Sequence, residues 1–285
     1  MFNENKTIVM RDGVKIRCQI HEGGHSIWII GTHGMGDHLG RHSYFQKLFS
    51  SDFNILQYDL RGHGLSSGER AYVERFENYS EDLRQILDYL KRDYRMDRFI
   101  LIGHSMGALI TADFIQNKVR DELYPEKIIL SSPLIGLKGV LGKVFKYMPL
   151  KALEKLSSSE KGLYISRPYS GITLSHDPRV YEDLMTDPLV GKKIHTKLLF
   201  EVLETSRKVF SRPLRPKCPS FAIIGSDEII VDTKEFFYYF EMVEKAFQVK
   251  VIEGGAHELH HEIIRFSALY LEYLKNVCLD SLYEL

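Results

Sequence analysis

The chain has 285 residues, 44% of them hydrophobic, and its 38 Lys+Arg balance 38 Asp+Glu, for no formal net charge and a pI near 7.2. That length can bury a full-sized core, and without a positive field or a Lys/Arg block of five or more, broad nucleic-acid binding is excluded. The longest apolar run, Phe236 to Phe240, falls far short of the ~20 residues that span a bilayer, and Met1 to Met10 lacks the basic start and apolar block of a signal peptide. Three cysteines, Cys18, Cys218 and Cys278, are odd in number and lack CxxC spacing. They fit reduced thiols in a cytoplasmic protein better than a disulfide framework.

Taken in chain order, Thr7 to Met10 and Val14 to Ile20, joined by Arg11-Asp12-Gly13, read as an antiparallel hairpin. Short apolar runs then recur at Ile27 to Ile30, Ile55 to Tyr58, Phe99 to Ile102, Lys127 to Leu130, Phe221 to Ile224 and Val249 to Ile252. Strands buried on both faces have this composition. Helix-period stretches alternate with them: Tyr79 to Arg92, Met106 to Asn117, Thr233 to Ala246 and Leu259 to Val277. The alternation predicts an α/β fold with a mostly parallel central sheet flanked by helices.

Between Pro133 and Pro219 the rhythm breaks into short amphipathic pieces without a convincing strand. Residues 1–132 and 217–285 are expected to form the core, and 133–216 an inserted helical cap. In Leu134 to Leu156, apolar Leu137, Val144, Phe145, Met148 and Leu153 alternate with Lys138, Lys143, Lys146, Lys151 and Lys155. That pattern serves a cap packed on the core, and it also suits a surface that meets lipid interfaces.

Gly103-His104-Ser105-Met106-Gly107 follows one apolar run and opens a helical stretch. A serine hydroxyl becomes a useful nucleophile when it projects from a strained strand-to-helix turn, and glycines two residues to either side spare that turn backbone collisions. An inert serine in a tight turn is the plain alternative. The nucleophile needs a base, and the base an acid to fix its tautomer. Asp227 follows the run ending at Ile224, and His257 follows Val249 to Ile252 through Glu253-Gly254-Gly255-Ala256. Active residues of such sheets lie past the carboxyl ends of strands, so Ser105, Asp227 and His257 are the expected triad. Glu228 and Asp232 compete with Asp227 but sit progressively farther past the strand. For the oxyanion, the backbone N–H of Met106 and that of Met35, in Thr32-His33-Gly34-Met35-Gly36-Asp37-His38, are the expected donors.

His257-Glu258-Leu259-His260-His261 also matches HExxH, a zinc-binding pattern when both histidines share one helical face. Here Gly254 and Gly255 place His257 before or at the helix start, and no third ligand has a motif around it. His260 and His261 are therefore expected to be ordinary polar residues on the first turn of the last helix, with no metal and no cofactor in the site.

With these motifs in hand, the sequence resembles the monoacylglycerol lipase and lysophospholipase branch of the α/β-hydrolases. The resemblance is carried by His33 to His38 with Arg41, by Asp59-Leu60-Arg61-Gly62-His63-Gly64-Leu65-Ser66 with Gly68-Glu69-Arg70, and by Gly103 to Gly107. Asp177-Pro178, Asp187-Pro188-Leu189-Val190, Gly225-Ser226-Asp227 and Gly255 to Leu259 continue it. It implies the α/β-hydrolase fold and hydrolysis of a small lipid ester of a long-chain acid, with an apolar tunnel under the cap and a polar recess for the alcohol. Asp37 and Arg41 match positions that help arrange the alcohol, and His104 is grouped with them as a substrate-binding residue. The family usually carries glutamate where Asp37 stands and tyrosine where His42 stands. Asp59 and Arg61 fall in a turn motif expected to be structural. Another carboxylesterase, a peptidase on the same fold, and a ligand-binding protein that retains the fold without activity are the competing readings. The cap is the expected point of any peripheral membrane contact.

Overall fold

The computed structural model of the chain describes residues 3–159, 162–166 and 174–282. Strands β1 (Asn3–Val9) and β2 (Lys15–His21) form the hairpin, turning through Gly13 at φ 85°. Next come β3 (Ile27–Thr32), α1 (Tyr44–Phe49), β4 (Asn54–Tyr58), α2 (Glu77–Asp93), β5 (Arg98–His104), α3 (Met106–Asn117) and β6 (Lys127–Ser131). A long insertion follows, and then β9 (Ser220–Gly225), α8 (Thr233–Tyr238), β10 (Phe247–Ile252) and α9 (Ile264–Leu279). One eight-stranded sheet runs β1-β2-β4-β3-β5-β6-β9-β10, parallel from β4 through β10 and antiparallel at β1-β2 and β2-β4. Strands β3, β4, β6 and β9 are buried along their whole length because helices cover both faces. On one face Leu83, Ile86, Leu87, Leu109 and Phe114 of α2 and α3 build the larger core; on the other, Phe45, Phe49, Tyr270 and Leu274 of α1 and α9 build the smaller.

The insertion contains α4 (Gly139–Tyr147), α5 (Leu150–Ser157), β7 (Tyr164–Ser166), α6 (Pro178–Thr186), β8 (Lys193–His195) and α7 (Thr196–Val209). Residues 160–161 and 167–173 of the expected cap lie outside the described residues. The strand pair β7-β8 corrects the expectation of a strandless stretch: at three residues each, the strands leave no apolar run to detect. Helix α7 is anchored in the larger core through Leu198, Val202 and Val209, whereas Leu174, Val180, Leu184 and Val190 make a small cluster of their own. Lys197 of α7, buried, bonds Glu201 and the Ser157 carbonyl, and Glu201 accepts from Phe76 N. One internal ion pair thus ties α5, α7 and the start of α2 together.

Two expected helices differ from the observed ones. Thr233 to Ala246 becomes α8 followed by a π turn, Tyr239–Val243, which turns Tyr239 and Phe240 inward, against Phe210 and Phe236 respectively. Leu259 to Val277 is broken at Glu262, whose carboxylate folds back to accept from Ala256 N and Ile263 N, leaving a 3-10 turn at Leu259–His261 before α9. No described helix is long and apolar enough to cross a membrane.

Candidate active site

Ser105 sits between β5 and α3 with φ 54° and ψ −116°, a conformation that costs a non-glycine residue of order 1–3 kcal/mol. The turn is over-determined: Ser105 N donates to Ser131 O at 2.9 Å, and α3 starts at once. A Cβ on Gly107 would overlap the carbonyl oxygens of Thr32 and His33, and one on Gly103 would overlap Gly107. Gly107→Ala is accordingly expected to destabilise the fold by about 1–3 kcal/mol, read from a lower denaturant midpoint at unchanged m-value.

The histidine comes from the loop after β10. His257 Nε2 lies 3.0 Å from Ser105 Oγ, so the serine hydroxyl donates to it, and His257 Nδ1 donates to Glu228 Oε2 at 2.7 Å. The carboxylate in contact with His257 is therefore Glu228, where Asp227 was expected. Asp227 N pairs with Gly255 O at 2.9 Å, and the Asp227 side chain, 57% exposed, meets Ser226 Oγ and His176 instead. The next residue faces inward, and its extra methylene spans the gap to His257. Glu228 Oε1 accepts from Ile230 N and Val231 N at 2.7 and 3.2 Å. Burial pushes the Glu228 carboxyl up, but His257 and those two N–H groups hold it below the ordinary range.

Met106 is the first helical residue of α3, and its N–H has no acceptor within the helix. Across from it runs the loop after β3, where a Cβ on Gly34 would come within 3.2 Å of Ser105 Cβ. Met35 follows directly. This loop is braced from behind: His33 Nε2 accepts from Leu60 N at 3.0 Å, and the Asp59 carboxylate accepts from Leu39 N and Leu65 N at 2.8 and 2.7 Å. Arg61 makes two bonds to buried Asp82, 2.7 and 2.6 Å, and one to Asp12. Asp59 and Arg61 hold loops, as the turn motif implies.

Asp37 and Arg41 lie inside a buried ionic group. Asp37 Oδ1 accepts from Arg41 Nη1 and His38 N, and Oδ2 from His42 Nε2. Arg41 also donates to Glu258, with Nη2 at 2.6 Å from Oε2, and His261 Nε2 donates back to Arg41 O. Burial works against charge here, yet Arg41 and His42 hold Asp37 well below its usual range, and Arg41 and His261 do the same for Glu258. Arg41 and His261 line a cavity of about 600 Å³ together with Val180, Asp183 and Asp187 of the insertion.

The HExxH match dissolves in this geometry. His257 is committed to Ser105 and Glu228, and it precedes the 3-10 turn. Ligand atoms of Glu258, His260 and His261 do come within 4.8 Å of one another, but the Arg41 guanidinium, 3.1 Å from His261 Nδ1, already supplies the cation. His260, expected as an ordinary polar residue on the first turn of the last helix, lies in the 3-10 turn before it and is buried among the rings of His42, His104 and His261 at 4.5, 4.9 and 4.3 Å. His104 is buried too, its ring 5.1 Å from that of His257. Burial pushes His33, His104 and His260 down and His63 down to about 3, so these rings are neutral in the folded protein. The unfolded chain protonates them below about pH 6.5, so stability present above that pH is lost as the pH falls. Buried Asp82, pushed up to about 6, has the opposite sign and offsets part of this. We expect a net loss of stability between pH 7 and pH 5, measured by denaturant titration at each pH.

A family model described as serine aminopeptidase, S33, matches residues 25–264. The chain belongs to this family of α/β-hydrolases. It is 27% identical over 263 residues to the monoglyceride lipase of Homo sapiens, covering 90% of this chain and 84% of the relative. It is 26% identical over 247 residues to phospholipase YtpA of Bacillus subtilis, covering 82% and 88%. The fold also matches the crystal structure of a soluble variant of monoglyceride lipase from Saccharomyces cerevisiae in complex with a substrate analog, with TM-score 0.79, 17% identity, and coverage of 97% and 94%. This α/β-hydrolase has a described strand–serine–helix turn, a histidine on the serine, and a glutamate on the histidine.

Proposed function

We propose that the protein is a serine hydrolase of carboxylic esters of fatty acids, a monoacylglycerol lipase or lysophospholipase, working through Ser105, His257 and Glu228. The observation that carries this reading is the His257 ring bridging Ser105 Oγ and the Glu228 carboxylate. His257 takes the Ser105 proton, the oxygen attacks the ester carbonyl, and the N–H groups of Met35 and Met106 receive the developing oxyanion. The imidazolium, held by Glu228, protonates the leaving alcohol. Water activated by the same histidine then releases the fatty acid from the serine. The insertion acts as a lid and gives the acyl specificity, and Asp37 and Arg41 fix the wall on the alcohol side through His42 and Glu258 rather than as free ligands.

Esters rather than peptides are favoured by the relatives, named a monoglyceride lipase and a phospholipase, although the family description is an aminopeptidase. The test is fatty-acid release from a monoacylglycerol, a lysophospholipid and a short-chain ester, alongside an aminoacyl anilide, with and without chelator. Chelator-resistant release from the lipid esters supports the reading; cleavage of the anilide alone moves the assignment to peptidase. Covalent fluorophosphonate labelling at Ser105 separates either enzyme from a binding protein.

Peripheral lipid contact is part of the same proposal. Val140, Val144 and Tyr147, spaced as one stripe of α4 and 77%, 53% and 77% exposed, lie beside Lys143 and Lys146. The double variant Val140→Glu, Val144→Glu is expected to lose about tenfold in binding to anionic vesicles by sedimentation while turning over a water-soluble ester at the normal rate.

A further inference from the structure

Asp227, set aside as the acid of the triad, is not idle. Its Oδ2 lies 3.8 Å from Nε2 of His176, a residue of the insertion. The other edge of that ring donates from Nδ1 to Glu262 Oε1 at 2.8 Å, and His176 N donates to Glu262 Oε2 at 3.2 Å. Glu262 has no exposed side-chain surface, and it is the carboxylate that also accepts from Ala256 N and Ile263 N, closing the loop on either side of His257. Around it the insertion grips the same loop twice more: Glu258 N donates to Leu174 O at 2.7 Å, and Ser175 Oγ to His261 O at 2.9 Å. Ile230, two residues beyond Glu228, packs on the cluster of Leu174, Val180, Leu184 and Val190. The loops bearing the base and the acid are thus both held from the insertion side, and His176 is the side chain that touches both.

We propose that His176 is a positioning residue for the reaction: clasped between Glu262 and Asp227, it fixes the His257 loop to the insertion and so sets where the base stands relative to Ser105. The inference rests on the reading of Ser105, His257 and Glu228 as the reacting groups. Glu262 is buried and receives several donors, so loss of the His176 ring deprives a sequestered carboxylate of its only described side-chain partner, and the loop it closes loosens. The Asp227 carboxylate acts mainly through His176; its Oδ1 also accepts from Ser226 Oγ at 3.3 Å. Its own exposure makes its share small.

The test is hydrolysis of 4-nitrophenyl butyrate by wild type, His176→Ala, His176→Asn, Asp227→Asn and the double variant His176→Ala, Asp227→Asn, with amide exchange of Ala256 and Glu258 followed in parallel. His176→Ala is expected to lower kcat about tenfold with KM within twofold, and to speed exchange at both amides about tenfold. His176→Asn, whose amide N–H stands near the place of Nδ1, is expected to recover most of both losses. Asp227→Asn is expected to cost two- to threefold alone and nothing further in the His176→Ala background, since the two share one path. Unchanged kcat and exchange in His176→Ala, an asparagine no better than alanine, or an Asp227→Asn loss of equal size in both backgrounds would each overturn the proposal. Failure of the underlying reading has a different signature: absent or Ser105-independent hydrolysis by wild type, with the exchange measurement still deciding whether the clasp exists.

Discussion

Ser105→Ala is expected to lower kcat by about 10⁶ on every ester tested and to abolish fluorophosphonate labelling, because removal of the nucleophile leaves only binding and the oxyanion donors. The comparison with Ser105→Gly makes this more than a test of necessity. Ser105 is held at φ 54°, where a side chain is strained and glycine is not. Both variants lack the hydroxyl and both should be inactive, but the glycine variant is expected to be about 1 kcal/mol the more stable, read from denaturant midpoints. Equal stability would mean that the elbow stores no strain. Residual Ser105-independent turnover near the wild-type rate would remove the acyl-enzyme mechanism altogether.

The second large effect separates two adjacent acids. Glu228→Gln keeps the shape of the side chain but removes the negative charge that accepts from His257 Nδ1 and stabilises the imidazolium. A fall of about 10⁴ in kcat is expected, the size associated with losing a triad carboxylate. Glu228→Asp keeps the charge but withdraws it by one methylene from a ring 2.7 Å away, and should cost about 10–100-fold. Asp227→Asn should remain within about threefold of wild type. The reverse order, with Asp227→Asn near 10⁴ and Glu228→Gln mild, would return the acid to the position chain order favours.

The reason for that difficulty is specific. From the sequence, Asp227, Glu228 and Asp232 can be ranked only by distance past β9, and the nearest is the natural choice. Which side chain faces His257 depends on Asp227 N pairing with Gly255 O, a residue from the next strand's exit loop. Distance along the chain carries no information about that rotation. By contrast, β3, β4, β6 and β9 are legible because burial on both faces makes the middle of each a mostly apolar run. The elbow was legible because its glycines answer collisions with backbone, which tolerate no other residue. The buried ion group was not: Arg41 and Glu258 lie 217 positions apart, and in a sequence each is one more charged residue of a polar loop. The same holds for His260, which in a sequence is one more polar residue at a helix start and which four neighbouring aromatic rings enclose.

The order of the strands has a consequence for the making of the protein. Strands β1 to β6 and the Ser105 turn are complete by Ser131, whereas Glu228 and His257 follow β9 and β10 at the far edge of the sheet. Roughly 90 residues of insertion must leave the ribosome between β6 and β9, and closing that span costs little more than closing a much shorter one. During this interval the nascent chain already carries Ser105 but neither Glu228 nor His257. If Ser105 is the nucleophile, as proposed, a chain stalled or cut within the insertion would carry it without the histidine and glutamate that complete the site, and would leave the β6 edge of the sheet uncovered by β9.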